Sequence, residues 1–272
     1  MILFPNAKIN VGLFVTRRRP DGFHDLETVF YPVALCDVLE IVPLDGRPNV
    51  CEFESSGLAL DCLPGENLVE KAYALLAKDY ELPGVHVHLH KVIPNGAGLG
   101  GGSADAAFML MGLNELFALG LEMEMMERYA AMLGSDCAFF VRNRPVFAYG
   151  KGELMENIDF SLNTYKIALV KPQKSVSTAA AYRGITPREA AMNLRQLECL
   201  PVQEWEGRVK NDFEESVIPL IPKIGKIKQK LREMGAVYVS MTGSGSAVFG
   251  LFERKVESLA EAFPEYFTWM EE

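Results

Sequence analysis

The chain has 272 residues, of which 49% are hydrophobic, and a formal net charge of −9. This length and composition suffice for one large core or two moderate ones. The acidic balance excludes a broad surface for nucleic acids or anionic membranes, although it leaves room for a local phosphate pocket. The first ten residues lack a basic segment followed by a long apolar run, and no stretch approaches about 18 uninterrupted apolar residues. We therefore expect a cytoplasmic enzyme or binding protein with no nucleic-acid or membrane partner.

The first third of the chain predicts mainly strands. In "KINVGLFV" apolar residues alternate with others, which predicts a strand with Lys8 and Asn10 on the face opposite the apolar row. "RRRPDGFHD" is typical of a turn, "TVFYPVAL" and "DVLEIVPL" of further strands, and "ENLVEKAYALLAKDY" of a helix. Two polar residues here are equally compatible with structural roles: Lys8 as a solvated strand residue, and Asn67 as a capping residue three positions before Glu70.

The stretch "PNGAGLGGGSADAA", from Pro94 to Ala107, follows the alternating segment "GVHVHLHKVI" and precedes a helical pattern, with Ser103 as the predicted N-cap. A strand, a glycine loop and a helix N-terminus in this order bring together backbone N–H groups and the positive end of the helix dipole. This arrangement favours phosphate as the ligand, and a purely structural turn is the alternative. No Gly-Lys-Ser/Thr follows, as a Walker A loop would need, and the match to Gly-x-Gly-x-x-Gly is weak evidence for a dinucleotide fold.

Histidines and cysteines give little sign of a metal or redox site. Three histidines share one face of a predicted strand, but successive ones lie about 6–7 Å apart along it, which is awkward for one tetrahedral ion. We interpret them as a polar strand face: His86, His88 and His90. The cysteines are odd in number and never occur as Cys-x-x-Cys, which favours reduced thiols, with Cys137 as a packing residue. These cysteines are Cys36, Cys51, Cys62, Cys137 and Cys199.

The segment "EMEMMERYAAMLGSDCAFFV" predicts a helix, a break at Gly134 and a second short helix that opens at Ser135 or Asp136. Asp136 is equally compatible with a capping role at that helix start. Strands and helices restart further along, which places a soft domain boundary near residues 150–160.

After this boundary we expect a strand at "YKIALVKP" and then a helix with Pro187 near its first turn. An amphipathic helical stripe follows and ends at Gly235; its apolar residues are Ile218, Ile221, Ile224, Ile227 and Leu231. The strands "AVYVS" and "AVFGLF" flank "MTGSGS", whose Ser244 and Gly245 are also suited to a simple hairpin turn.

Taken in order, "PNAKINVGLFV", "PNGAGLGGGSADAA" and "MTGSGSAVFGLF" resemble the three motifs of the GHMP kinase superfamily, over essentially the whole chain. "RPDGFHDLETVF", "GSDCAFFV" and "NDFE" narrow the resemblance to members that use ATP to phosphorylate the 2-hydroxyl of a cytidine-diphosphate-linked methylerythritol, in the non-mevalonate isoprenoid pathway. The resemblance implies an α+β, two-domain fold with the active site between the domains. Residues 1–155 would form a ribosomal protein S5 domain 2-like domain with the ATP-binding glycine loop, and residues 156–272 a ferredoxin-like domain.

The same resemblance implies ATP, accompanied by Mg²⁺, as the phosphoryl donor. Asp136 would take the proton from the substrate hydroxyl, while Lys8 would orient that hydroxyl and stabilise negative charge. Adenine would lie near Asn67 and Lys91. The phosphates would be surrounded by the loop residues Pro94, Asn95, Gly96, Ala97, Gly98, Leu99, Gly100, Gly101, Gly102, Ser103 and Ala104.

The cytidine would be held by His24 and by an aromatic sandwich of Phe23 and Tyr182, with Thr178 nearby and Asn10 also in contact with the substrate. Phe23 stands where the family often has tyrosine, so stacking remains possible and a hydrogen bond from that ring is lost. Two alternatives stay open: a GHMP kinase for another small alcohol, and a nucleotide-binding regulatory protein without chemistry. The presence of both Lys8 and Asp136 argues against the second. Nothing in the sequence indicates an oligomeric state.

Overall fold

A computed structural model describes residues 1–63 and 65–272 of the chain. The first half contains β1 (Ile2–Leu3), β2 (Asn6–Arg18), β3 (His24–Cys36), β4 (Val38–Leu44), β5 (Cys51–Gly57), α1 (Leu68–Leu76), β6 (Gly84–Lys91), α2 (Gly101–Leu116), α3 (Met123–Leu133) and α4 (Cys137–Arg142). The strands and helices predicted in this half are confirmed, including the break at Gly134 and the capping role of Asn67, whose side chain accepts a hydrogen bond from Val69 N.

The second half contains β7 (Val146–Gly150), β8 (Leu154–Asn157), β9 (Lys166–Lys171), α5 (Thr178–Arg183), α6 (Phe213–Val217), α7 (Lys223–Glu233), β10 (Tyr238–Met241), β11 (Val248–Phe252), α8 (Leu259–Ala262) and β12 (Phe267–Met270). Two 3₁₀ turns, Leu194–Cys199 and Val202–Glu204, lie between α5 and α6. Within the described residues, we find no helix with the length and apolar character needed to span a bilayer.

The chain forms two compact units, each built from separate segments. The first unit comprises Met1–Ala7, Ala34–Asn95 and Gly100–Arg144, and the second comprises Lys8–Val33, Gly96–Leu99 and Pro145–Glu272. Each unit draws on more than one stretch of sequence, so the division into 1–155 and 156–272 stays a prediction.

The first unit is a four-stranded sheet, in the order β1-β4-β6-β5, covered by helices. β4 and β6 pair antiparallel, whereas β5 and β6 pair parallel. The apolar residues of the alternating segment are buried, as their period of two predicts: Val85, Val87 and Leu89. Gly112 lets α2 approach β4 closely, because a Cβ there would lie 2.7 Å from Ile41 Cδ1.

The second unit contains most of two four-stranded sheets, β2-β3-β7-β8 and β10-β11-β9-β12. The second sheet is antiparallel throughout, and its first strand, β9, lies between β11 and β12. Along the chain, β9 is followed by the helices α5 to α7, the strands β10 and β11, the helix α8 and the strand β12. This is the ferredoxin-like arrangement that we expected. The α+β fold class is confirmed.

Three local predictions are wrong. The helix α2 begins at Gly101 with Gly100 as its N-cap, so Ser103 lies inside the first turn. No helix forms at Pro187 in the described residues 185–190, where Arg188 N instead donates a hydrogen bond to Val15 O. The apolar stripe does not form one helix: α6 ends before Ile218 and α7 begins at Lys223, since Pro219 and Pro222 cannot continue a helix from the preceding turn.

Candidate active site

The glycine loop has a backbone that most residues could not adopt. Gly96, Gly98 and Gly100 have positive φ angles of 58°, 76° and 73°, a region that glycine enters without steric cost. Gly98 also lies against the β10–β11 hairpin, where a Cβ atom would be 2.1 Å from Thr242 O. By their contacts Gly96–Leu99 belong to the second unit, whereas Pro94 and Asn95 belong to the first. At least part of this glycine content is therefore structural.

The N-terminus of α2 is suited to bind an anion. Gly100, its N-cap residue, has no side chain that could accept hydrogen bonds from the first-turn N–H groups, and the first turn contains no acidic residue. The first N–H groups of any helix lack partners within the helix and lie at the positive end of its dipole. Gly102 is exposed, and the nearest atom to a Cβ there would be Leu68 Cδ1 at 4.0 Å. The residues present therefore fit a phosphate group.

The polar face of β2 is buried, and hydrogen bonds hold its side chains in place. Lys8 is 3% exposed, so its interpretation as a solvated strand lysine is wrong. Its ammonium group donates a hydrogen bond to Asn10 Oδ1 at 2.7 Å and lies 4.9 Å from the centre of the Phe30 ring. Asn10 Nδ2 in turn donates to Thr28 Oγ1 at 3.0 Å, which fixes the amide that faces Lys8.

The three sequence motifs meet in one hydrogen-bond network within the second unit. Asn10 N donates to Thr242 Oγ1 at 3.0 Å, and the Thr242 hydroxyl donates to Gly98 O at 3.1 Å. Lys8 N donates to Leu99 O at 2.9 Å, and Ala247 N donates to Ala97 O at 3.1 Å. Residues 232 positions apart along the chain, Asn10 and Thr242, therefore hold the same stretch of the glycine loop.

Asn211 is a site residue to which the sequence analysis gave no role. Its amide donates to Met241 O at 2.8 Å and to Gly243 O at 2.9 Å, so it supports the hairpin that contacts the loop. Its Oδ1 accepts a hydrogen bond from Phe213 N. The signal in the sequence was "NDFE", which contributed to the resemblance.

Asp136 lies immediately before α4 and is half-buried. It occupies the N-cap position, but its carboxylate accepts no capping hydrogen bond from the described residues of α4. The Ser135 hydroxyl lies 3.4 Å from Asp136 Oδ1. Asp136 belongs to the first unit and Lys8 to the second, so their pairing stays a prediction.

The predicted cytidine residues lie in the second unit, where His24 and Tyr182 are in contact. Their rings stack with centres 4.8 Å apart and an interplanar angle of 17°. Tyr182 also packs edge-on against Phe213, at 4.7 Å between ring centres. Phe23 is 60% exposed, with the Lys151 ammonium 5.1 Å from its ring centre. Thr178, on the same helix as Tyr182, exchanges a hydrogen bond with Ser244 Oγ at 3.1 Å.

Lys91, which the resemblance places near adenine, is buried. Its side chain is 1% exposed, and its ammonium lies against the carboxyl groups of Asp37 and Asp105, which are themselves buried. Burial lowers the pKa of Lys91, but the two carboxylates outweigh this effect and raise the pKa above its usual value. Cys137, directly after Asp136, is buried, and burial raises the pKa of its thiol to about 11, which agrees with a packing role.

Comparisons with known proteins assign the family. The model of the GHMP kinases N terminal domain matches residues 67–144, and that of the GHMP kinases C terminal domain matches residues 193–268. A 4-diphosphocytidyl-2-C-methyl-D-erythritol kinase of Bacteroides fragilis is 51% identical over 261 residues, or 95% of each chain. The chain belongs to this GHMP kinase family. Its relative from Parabacteroides distasonis, named in the same way, is 48% identical and spans 99% of this chain and 98% of its own.

Solved structures agree with this family membership. A crystal structure of 4-(cytidine 5'-diphospho)-2C-methyl-D-erythritol kinase matches with a TM-score of 0.83 and 30% identity, over 100% of this chain and 98% of the other. The mevalonate kinase of Methanococcus jannaschii matches with a TM-score of 0.73 at 14% identity, over 100% and 98% of the two chains, which shows a shared fold. As a member of the 4-diphosphocytidyl-2-C-methyl-D-erythritol kinase family, the chain is a small-molecule kinase with the two-domain GHMP architecture.

Proposed function

We propose that this enzyme transfers the γ-phosphoryl group of ATP to the 2-hydroxyl of 4-diphosphocytidyl-2-C-methyl-D-erythritol, in the non-mevalonate isoprenoid pathway. The observation that carries the proposal is the network in which Asn10, Gly98 and Thr242 join the three motifs of the family. The relatives named for this activity span nearly the whole chain. The proposal places the enzyme in the cytoplasm, with ATP and this acceptor as its partners and no nucleic acid or membrane.

ATP would bind with its phosphates in the loop from Pro94 to Ala104, against the N-terminus of α2. The exposed Gly102 and the half-buried Ser103 in the first turn of α2 support this arrangement, because the turn offers N–H donors in a region of positive potential. Adenine would lie near Asn67 and Lys91, at the start of α1 and the end of β6. Mg²⁺ would arrive with the nucleotide and neutralise charge on its phosphates.

Asp136 would accept the proton of the attacking hydroxyl, and Lys8 would orient that hydroxyl and stabilise the charge that develops. The family match supplies the pairing of these residues. The bond from Lys8 to Asn10 supports the role of Lys8, because it holds a buried ammonium in one orientation. Phosphoryl transfer depends mainly on positioning and electrostatics, and a positioned base contributes typically about 10²–10⁴-fold. Transfer would be direct and in line, without a phosphoenzyme.

The cytosine would stack on Tyr182, with Phe23 on its other face, and His24 would bind its edge. The stack of His24 on Tyr182 supports this assignment, since it presents an aromatic face that a base can take over when the imidazole turns aside. Such stacking contributes roughly 1–3 kcal/mol per base. Thr178, one turn before Tyr182, and Asn10 would lie beside the substrate.

The test is ADP release from ATP and Mg²⁺ with a panel of alcohols: the cytidine-linked methylerythritol, mevalonate and homoserine. We expect turnover with the first acceptor. Faster turnover of mevalonate or homoserine would assign a different GHMP kinase, and ATP binding without turnover of any acceptor would favour a regulatory protein.

The proposed roles of the catalytic pair are tested with Asp136→Asn and Lys8→Ala. Each should reduce kcat by about two orders of magnitude or more while ATP still binds, because each removes a group that acts on the hydroxyl. The exposed Asp45 provides the matched control Asp45→Asn, which should leave kcat unchanged. A near-normal kcat for Asp136→Asn, with chemistry shown to be rate-limiting, would reject Asp136 as the base.

A further inference from the structure

A buried cluster of three charged residues, Lys91, Asp37 and Asp105, lies in the first unit beside the glycine loop. The Lys91 ammonium donates hydrogen bonds to Asp37 Oδ2 and, at 2.9 Å, to Asp105 Oδ2. The side chains are 1%, 0% and 3% exposed, respectively. We call these residues the loop triad. A cation this enclosed has its charge balanced inside the protein.

The loop triad connects the two ends of the glycine loop. Val92 and Ile93 are the last two residues before Pro94. Their N–H groups donate hydrogen bonds to Asp37 Oδ1, at 2.6 Å and 2.8 Å. Asp105 lies in α2, the helix that follows the loop. The Lys91 ammonium joins both carboxylates, and it lies 3.2 Å from where a Cβ of Gly101 would be. The exit of β6 and the start of α2 are therefore held at one point.

The ionisation of the loop triad also bears on anion binding. Among the described residues, Asp105 Oδ1 is the buried side-chain oxygen that lacks a hydrogen-bond partner. Burial raises the pKa of Asp105 to about 8, because the opposing effect of Lys91 is partly cancelled by the charge of Asp37. Lys91 from β6 and Asp37 from the β3–β4 connection are the charged groups that act on it. Below this pKa the cluster carries one positive charge, one negative charge and a neutral carboxyl.

We propose that Lys91, Asp37 and Asp105 are positioning residues for the nucleotide, which fix the two ends of the glycine loop so that its N–H groups face the phosphates. Lys91 then acts through the loop and does not contact ATP itself. This inference rests on the proposed function. It accounts for a lysine near the nucleotide whose ammonium is paired inside the first unit.

The test is a double-mutant cycle on ATP affinity with Lys91→Gln, Asp37→Asn and the double variant, measured by equilibrium titration with a non-hydrolysable ATP analogue. Each single variant should raise the Kd at least tenfold. The Kd of the double variant should not exceed that of the single variant that binds ATP more weakly, because both changes break the same link. At saturating ATP, kcat should change much less than KM. The exposed Lys78 offers a control, Lys78→Gln, which removes the same charge and should bind ATP normally.

A direct contact between Lys91 and ATP gives the opposite pattern. Lys91→Gln would then lose affinity while Asp37→Asn kept it, or the two losses would multiply in the double variant, and either result would overturn the proposal. If a Lys91 or Asp37 variant does not fold, Asp105→Ala still tests the proposal. That variant removes the carboxyl through which α2 is held to Lys91, so it should raise the Kd for the ATP analogue at least tenfold.

An unchanged Kd in folded Asp105→Ala would overturn the role of Asp105. Wild-type ADP release in the same buffers keeps the two proposals separate. A wild-type protein that releases no ADP rejects the proposed function. If the wild-type protein releases ADP normally while the effects of the two substitutions on the Kd are additive, the role of the loop triad alone is rejected.

Discussion

Gly98 and Gly102 belong to the same glycine-rich motif, yet the structure gives them different roles. Gly98 has a positive φ of 76°, and a Cβ there would lie 2.1 Å from the backbone oxygen of Thr242. Gly102 lies in the first turn of α2, where the nearest atom to a Cβ would be Leu68 Cδ1 at 4.0 Å. Alanine should therefore damage the fold at Gly98 and be tolerated at Gly102.

The magnitudes follow from these geometries. A left-handed backbone costs an L residue roughly 1–2 kcal/mol, and displacement of the hairpin would break the bond from Thr242 to Gly98 O, worth about 1 kcal/mol. Gly98→Ala should thus lower the free energy of unfolding by about 2–3 kcal/mol. Gly102→Ala should be neutral or stabilising by up to about 1 kcal/mol, because alanine is the better helix former.

Activity should separate the two variants in a different way. If phosphates approach the start of α2, the added methyl group of Gly102→Ala stands in their path, and we expect KM for ATP to rise at least tenfold in a protein of wild-type stability. The assays are urea denaturation followed by circular dichroism, and steady-state ATP titration. Wild-type stability of Gly98→Ala would contradict the contact with Thr242, and an unchanged KM for Gly102→Ala would contradict phosphate binding at this turn.

Three further changes test the rest of the site. Asn211→Ala leaves two buried carbonyls without their donor and should cost about 2–4 kcal/mol in urea denaturation, whereas Asn193→Ala, at an exposed capping position, should cost less. Tyr182→Ala should weaken cytidine diphosphate binding about tenfold or more in calorimetry; an unchanged affinity would reject Tyr182 as the residue that stacks on cytosine. Folded Asp105 keeps its proton up to about pH 8, and the unfolded chain loses it near pH 4. As the pH rises through this window, the unfolding equilibrium constant of the wild type should therefore increase about tenfold per pH unit relative to that of Asp105→Asn. Parallel pH curves for the two proteins would refute this prediction.

Short-range patterns predicted most of the secondary structure. Alternation placed β2 and β6 correctly and predicted that Lys8 and Asn10 share a face. Turn and break residues such as Gly134 were equally reliable, because they act on the local backbone alone. One failure arose where an apolar period continued through prolines: the stripe from Ile218 to Leu231 is buried for most of its length, although Pro222 begins a separate helix. An apolar period therefore predicts which residues are buried, whereas a proline determines whether one helix continues through them.

The contacts of the candidate site could not be predicted by pattern alone. That Thr242 would bond to Asn10 and Gly98 depends on how distant strands meet, which one sequence does not encode in any short window. The burial of Lys91 was equally hidden, since Asp37 and Asp105 lie 54 and 14 residues away from it. The family resemblance singled out candidate residues, and the structure shows that Asn10 and Thr242 hold the glycine loop through hydrogen bonds.

The charge of the molecule raises a final question, because a chain with a formal charge of −9 is proposed to bind highly anionic substrates. Exposed charges are screened over about 8 Å at physiological ionic strength, so most of this excess has little influence at the glycine loop. The local field depends on the first turn of α2, which carries no acidic residue. Asp105 lies in the same helix, and its ionised form would oppose the dipole that favours phosphate. Because burial keeps this carboxyl neutral below about pH 8, its proton should matter more for ATP binding than the excess negative charge distributed over the rest of the chain.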